Sequence, residues 1–107
     1  MNLKELKAAG GFVPAAPVSV PVTWERAGKD PVSFDVAVKR HSFGTIERLF
    51  ADNDDERSRS AAYIAASILL EGVPMTYEDA YQLEPSLAGV LIRAINQVNG
   101  TGQEPKN

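Results

Sequence analysis

The 107 residues, 44% of them hydrophobic, suffice for one modest core, so neither global disorder nor several domains are expected. The net charge is −3 and the basic residues are scattered, which argues against the basic face typical of nucleic-acid-binding proteins. The chain lacks cysteine and any apolar run approaching the ~20 residues that span a bilayer, so disulfide frameworks, thiolate metal sites and membrane insertion are not expected. We therefore predict a single cytoplasmic domain, residues 1–107, that binds no nucleic acid and no membrane.

The two ends of the chain are predicted to contribute little to the core. Residues 1–16 are expected to form a flexible lead-in, in which Asn2 to Ala9 provides one or two helical turns that Gly10-Gly11 stops. Residues 101–107 are polar and are expected to form a disordered tail.

Two runs of alternating apolar residues predict an N-terminal antiparallel β-hairpin. Every second residue in 18–24 and in 32–38 is β-branched or aromatic, which is the pattern of a strand with one buried face. The turn-rich residues 25–31 connect the two runs. Pro21 has no N–H to donate, so the first strand is expected at a sheet edge, and Trp24 is interpreted as a packing residue of the hairpin. Because an isolated hairpin is only marginally stable, helices must cover its apolar face.

The remainder of the chain predicts helices. Ser42 or Thr45 begins a short helix that ends near Phe50, and a second helix covers residues 55–71. The core face of the second helix consists of Ala61, Ile64, Ala65, Ile68 and Leu69. Residues 72–74, Gly-Val-Pro, are expected to end this helix. The predicted fold class is α+β, with the N-terminal antiparallel β-hairpin packed against about three α-helices.

The last helix carries the candidate binding residues. Residues 76–79 form a near capping box that begins a short helical turn, and a new helix then runs from Pro85 to the stop signal Asn99-Gly100. Its core stripe consists of Leu87, Val90, Leu91, Ala94, Ile95 and Val98. Ala88 and Ile92 lie beyond the edge of that stripe, and we predict that they widen the apolar face into a contact surface for a partner. The alternative is that Ile92 is an isolated exposed apolar residue without a function.

The sequence predicts no catalytic, cofactor-binding or metal site. His41 is the only histidine, and the adjacent Ser42 points the opposite way in an extended segment, so the pair is badly placed as a base and its nucleophile. The acidic run of residues 52–56 does not fit an EF-hand loop, because Arg57 and Tyr63 stand where glycine and glutamate are required. We interpret both features as structural.

An ordered pattern runs through nearly the whole chain. Gly10-Gly11-Phe12-Val13 leads to a valine-rich strand ending in Trp24-Glu25, and a second strand, VSFDVAVKR, follows. His41-Ser42-Phe43, the acidic-ended helix IERLFADND and the closing segment MTYEDAYQLEPSLAGVLIRAINQVNG complete the order. This succession resembles the tail assembly chaperones of long-tailed bacteriophages.

The resemblance implies a non-enzymatic role in the bacterial host cytoplasm. Such proteins bind the tape measure protein, keep it soluble and help to recruit tail tube subunits, and they are absent from the mature virion. The resemblance supplies no catalytic residues, so the expected partners are the tape measure protein, the tail tube protein and a possible second copy of the chain.

Two other classes of function stay open at this point. In the first alternative, the chain is a structural virion protein, such as a tail completion or head–tail connector component. Such a protein would add its hairpin to the sheet of a neighbour. An enzyme or metal-binding domain would require a deep pocket that contains His41 with an acid in hydrogen-bond reach.

Overall fold

The computed structural model describes residues 1–51 and 57–100. The elements are α1 (Leu3–Ala8), β1 (Val18–Trp24), β2 (Val32–Val38), α2 (Phe43–Ala51), α3 (Arg59–Ser67), β3 (Ile68–Leu70), β4 (Val73–Pro74), α4 (Tyr77–Tyr81) and α5 (Pro85–Asn99). The predicted α+β class is confirmed, as is the antiparallel hairpin at the start of the sheet. The acidic run of residues 52–56, the predicted helix start at Asp55 and the predicted disordered tail of residues 101–107 lie outside the described residues.

The hairpin has one apolar and one polar face, as the period-two pattern predicts. Its register pairs Val18 with Val38 and Trp24 with Val32, so the alternating apolar residues of both strands share one face. Val22, Val36 and Val38 on that face are buried. The opposite face is polar, and on it the hydroxyls of Thr23 and Ser33 lie 3.0 Å apart across the strands.

The helices cover the apolar face of the sheet, and α5 lies across β1 and β2 and against α3. The core comprises Val22, Val36, Val38, Ala61, Tyr63, Ile64, Ile68, Ala80, Leu91, Ala94 and Ile95. The predicted bounds of α5 are confirmed: Pro85 is its first residue, and Gly100 ends it in the left-handed conformation with φ 68°. Ser42 is the residue that caps α2, because its hydroxyl accepts a hydrogen bond from the Thr45 N–H at 3.2 Å.

The predicted helix over residues 55–71 is wrong in its last turn. α3 ends at Ser67, and the chain becomes extended at Ile68, with φ −101° and ψ 133°. Residues 68–70 form strand β3, which pairs with the end of β2 through Ala37 and Val38. The apolar spacing of Ile68 fits a helix equally well, but here the open edge of β2 supplies strand partners and Ile68 is still buried.

The predicted helix stop at residues 72–74 is therefore also wrong, because these residues belong to a second hairpin. β3 and β4 pair Leu70 with Val73, which leaves Glu71-Gly72 as a two-residue turn. Both turn residues have positive φ, 50° for Glu71 and 81° for Gly72, as the favoured type I′ hairpin turn requires. Gly72 thus supplies a left-handed turn position and does not act as a helix terminator.

Both outer edges of the four-stranded sheet carry a proline. The strand order is β1-β2-β3-β4, so the predicted edge position of β1 is confirmed. Lys39 N–H donates to the Ser67 carbonyl at 2.8 Å and Met75 N–H donates to the Ile68 carbonyl at 3.3 Å. Along an antiparallel strand, the N–H and C=O groups of successive residues point alternately to the two neighbouring sides. The two hydrogen bonds and the register therefore place the main-chain groups of Pro21 and Pro74 on the outer sides of the sheet. Neither edge presents an N–H donor there, which opposes edge-to-edge pairing with another chain.

Candidate functional site

His41 has a structural environment. Its Nε2 lies 2.7 Å from the Ser67 hydroxyl, and its main-chain N–H donates to Asn99 Oδ1 at 2.6 Å. Ser67 is fully buried, so its hydroxyl is not available to a substrate. Ser42 is occupied with capping α2 and does not pair with the imidazole. These contacts tie the segment after β2 to α3 and α5.

A concavity lies beside His41, and its described lining carries no acid that could orient the imidazole. It has a volume of about 420 Å³. Its lining residues are Val13, Pro14, Ala15, Pro17, Lys39, Arg40, His41, Ser42, Thr45 and Leu69. No Asp or Glu is among them, whereas a triad needs a third group that orients the base. Within residues 1–51 and 57–100, no group of three or more His, Cys, Asp or Glu side chains is placed to hold a metal ion.

The His41 environment predicts a pH-dependent stability. Burial lowers the pKa of His41 below its ordinary 6.5, and the nearby positive charge of Lys39 lowers it further. Because the pKa is lower in the folded than in the unfolded chain, protonation of His41 favours unfolding. The stability associated with the neutral imidazole is therefore complete above pH 6.5 and is lost as the pH falls through the pKa of the folded chain. Denaturant unfolding between pH 8 and 5 should show this loss in the wild type. The free energy of unfolding of His41→Gln should depend less on pH over the same range. A pH dependence equal to that of the wild type would contradict the lowered pKa of His41.

A second concavity, of about 530 Å³, lies where the hairpin loop meets the start of α5. Trp24 forms one wall, and its indole N–H donates to the Ser86 hydroxyl at 2.8 Å. Ser86 in turn donates to the Glu84 carboxylate, and this hydrogen bond lowers the pKa of Glu84. Arg26 lies over the Trp24 ring at 5.8 Å from its centroid and donates to the Asp30 carbonyl at 2.8 and 3.0 Å. The cluster joins the hairpin to α5 and closes the loop, in agreement with the packing role predicted for Trp24.

The two candidate binding residues, Ala88 and Ile92, lie one turn apart on α5. Both are half-buried and pack against the core cluster. The core therefore extends further round α5 than the predicted stripe of Leu87 to Val98, and only part of each side chain is accessible. Their contact with a partner stays a prediction.

Other apolar side chains are more exposed than these two. The large apolar residues that are 39% or more exposed are Met1, Leu3, Leu6, Phe12, Val13, Phe43, Phe50, Leu70, Val73 and Tyr81. They fall in three places: the N-terminal segment before β1, the two ends of α2, and the stretch from β3 to α4. None of them is predicted from the sequence as a contact residue. For Leu3 and Leu6 the signal was present, because a well-capped helix with two leucines is amphipathic and needs a surface to cover it.

Comparison with known families agrees with the resemblance found in the sequence. A family model described as phage tail assembly chaperone, TAC, matches residues 4–99. No curated protein and no solved structure matches the chain. In the described parts of the chain, no helix has the length and apolar character to cross a membrane. Because the family model spans most of the sequence, the chain belongs to the phage tail assembly chaperone family.

Proposed function

We propose that this protein binds the tape measure protein and the tail tube subunits while a phage tail is assembled. The observation that carries the proposal is the family match over residues 4–99. The protein acts in the host cytoplasm, catalyses no reaction and leaves before the virion is complete.

The distribution of apolar surface supports binding to a long helical partner. A chaperone for such a partner must cover apolar stripes that are exposed until the tail tube encloses them, and it needs apolar side chains outside its own core for this. Phe43 and Phe50, at the two ends of α2, are 78% and 43% exposed. Ala88 and Ile92 on α5 contribute a smaller accessible area, and we include them in the proposed contact surface.

Co-expression tests this proposal. The tape measure protein should be largely insoluble alone and soluble when it is produced together with this chain. Phe43→Ser should reduce the rescue, whereas Glu47→Gln at an exposed position of the same helix, a change that removes no apolar atom, should leave it intact. Equal solubility of the partner with and without this chain would contradict the proposal.

The alternative of a structural virion protein that works by strand addition is less well supported. The outward-facing positions of Pro21 and Pro74 remove an N–H donor from each outer edge of the sheet, so a continuous ladder with a neighbour is opposed at both edges. Mass spectrometry of purified particles distinguishes the two functions. A chaperone is absent from the particles, and a virion component is present in a fixed ratio to the tail proteins.

A further inference from the structure

The N-terminal arm, residues 1–17, contains a helix, α1, that has capping motifs at both ends and no buried residue. Asn2 and Glu5 form a reciprocal capping box at the start of α1, with hydrogen bonds of 2.8 and 2.9 Å. At the other end, Gly11 N–H donates to the Leu6 carbonyl at 2.9 Å and Gly10 N–H donates to the Lys7 carbonyl at 3.1 Å. These two bonds, with Gly10 at φ 90°, constitute a Schellman motif.

The helix nevertheless leaves its apolar side chains in solvent. No residue of α1 is buried, and Leu3 is 63% and Leu6 41% exposed. Phe12, which follows the Schellman motif, is 49% exposed, and its ring lies 5.1 Å from the Lys7 ammonium. A six-residue helix is marginal in water unless an apolar face is covered. The arm is therefore preorganised for a surface that the described part of the same copy does not provide, and preorganisation reduces the entropic cost of docking.

The chemistry of the arm specifies that surface. α1 combines its leucines with Lys4 and Lys7, against the single acid Glu5. Its partner should therefore present exposed apolar side chains among carboxylates.

The stretch from β3 to the start of α5 has this complementary chemistry. We define the acidic segment as residues 70–84. Its acidic side chains, Glu71, Glu78, Asp79 and Glu84, are all exposed. The segment itself contains no Lys or Arg, and from outside it Arg57 lies over the Tyr77 ring at 4.7 Å from the centroid. Val73 and Tyr81 in the same segment are 64% and 62% exposed.

We propose that the N-terminal arm of one copy docks on the acidic segment of a second copy. Leu3, Leu6 and Phe12 then cover Val73 and Tyr81, while the two lysines face the carboxylates. Because the two surfaces differ, the contact is heterologous and links copies head to tail unless two copies exchange arms. An arm of this size buries less than the roughly 800 Å² per partner of a standard stable interface, so self-association should be reversible and no tighter than about micromolar.

Sedimentation equilibrium of the full chain tests the proposal. The wild type should exceed its monomer mass of 11.5 kDa progressively as the concentration rises towards about 1 mM. The double change Leu3→Ser and Leu6→Ser should weaken the association about tenfold or more without changing the thermal midpoint, because neither side chain belongs to the core. Phe43→Ser is the matched control, since it removes a more exposed apolar side chain outside both surfaces and should not alter the association.

Charge exchange decides whether the acidic segment is the receiving surface. Lys4→Glu with Lys7→Glu should weaken association to a similar degree, and adding Glu71→Lys with Glu78→Lys should restore most of it. A wild type that stays monomeric at 1 mM overturns the proposal, even if the arm variants lose binding to a tail protein, because the arm then serves that partner. Failure of the charge exchange to restore association overturns the assignment of the acidic segment.

Discussion

Leu91→Asp should leave the chain unfolded at 25 °C. Leu91 is 1% exposed in the centre of α5, where the helix meets the sheet and α3. The change removes a buried leucine, which alone costs about 2–5 kcal/mol, and places a carboxylate in an apolar site without a cation. The free energy of unfolding of small domains is only about 5–15 kcal/mol, so the combined loss should exceed the stability of this fold. Far-ultraviolet circular dichroism and the amide dispersion of a two-dimensional NMR spectrum report the result directly.

Gln97→Asp is the matched control for Leu91→Asp. It introduces the same side chain on the same helix at an exposed position. A carboxylate near the helix C-terminus interacts unfavourably with the helix dipole, so a cost of about 0.3–1 kcal/mol and a folded chain are expected. A cooperative unfolding transition in Leu91→Asp with the wild-type midpoint would contradict the assigned buried face of α5.

Asn99→Ala should destabilise the fold although Asn99 is a polar residue at the end of α5. Its Oδ1 accepts from the His41 main-chain N–H at 2.6 Å, and its Nδ2 donates to the carbonyls of Lys39 and Ile95 at 3.1 Å. Removing the amide leaves the N–H of His41 without its partner in a half-buried site, whereas the exposed carbonyl of Lys39 can bind water instead. An unsatisfied buried group costs about 1–3 kcal/mol, so a loss of about 1–3 kcal/mol is expected.

Urea denaturation of Asn99→Ala measures this loss as a change in the free energy of unfolding at constant slope. Gln97→Ala, two residues earlier on the exposed side of α5, should be neutral or slightly stabilising because alanine favours helix. If the two variants lose equal stability, then Asn99 does not join the end of α5 to the segment after β2.

The parts of the fold that depend on local pattern could be predicted from the sequence. The strands of the first hairpin alternate without interruption over seven residues each, and α5 has proline at its start and glycine after its end. In these elements, local preference and tertiary packing favour the same conformation, so short-range rules suffice.

The second hairpin could not be predicted because its decisive partner is distant in sequence. Ile68 and Leu69 continue the helical spacing of α3, yet they pair with Val38 and Ala37, about thirty residues earlier. The Glu71-Gly72 turn is a weaker signal than Asn-Gly, since a glutamate seldom adopts positive φ. Tertiary pairing therefore overrides the helical pattern at this point.

The candidate contact surfaces were only partly accessible to sequence reasoning for a related reason. An apolar residue on a helix is assigned to the core or to the surface by its angle from the main stripe, but the core's width depends on which elements pack alongside. α3 and the sheet both contact α5, and this draws Ala88 and Ile92 partly into the core. Conversely, Leu3 and Leu6 remain exposed because no element within residues 1–51 and 57–100 buries α1.

Binding between this chain and the tape measure protein is the central step of the proposed function, and affinity purification of that partner measures it most directly. A tagged tape measure protein should be produced together with this chain and purified from the soluble fraction, and the bound protein should be quantified by mass spectrometry. We predict that the chain co-purifies at one or more copies per tape measure molecule, and that Leu91→Asp, which is unfolded, does not. Recovery of soluble tape measure protein without this chain would contradict the proposed function.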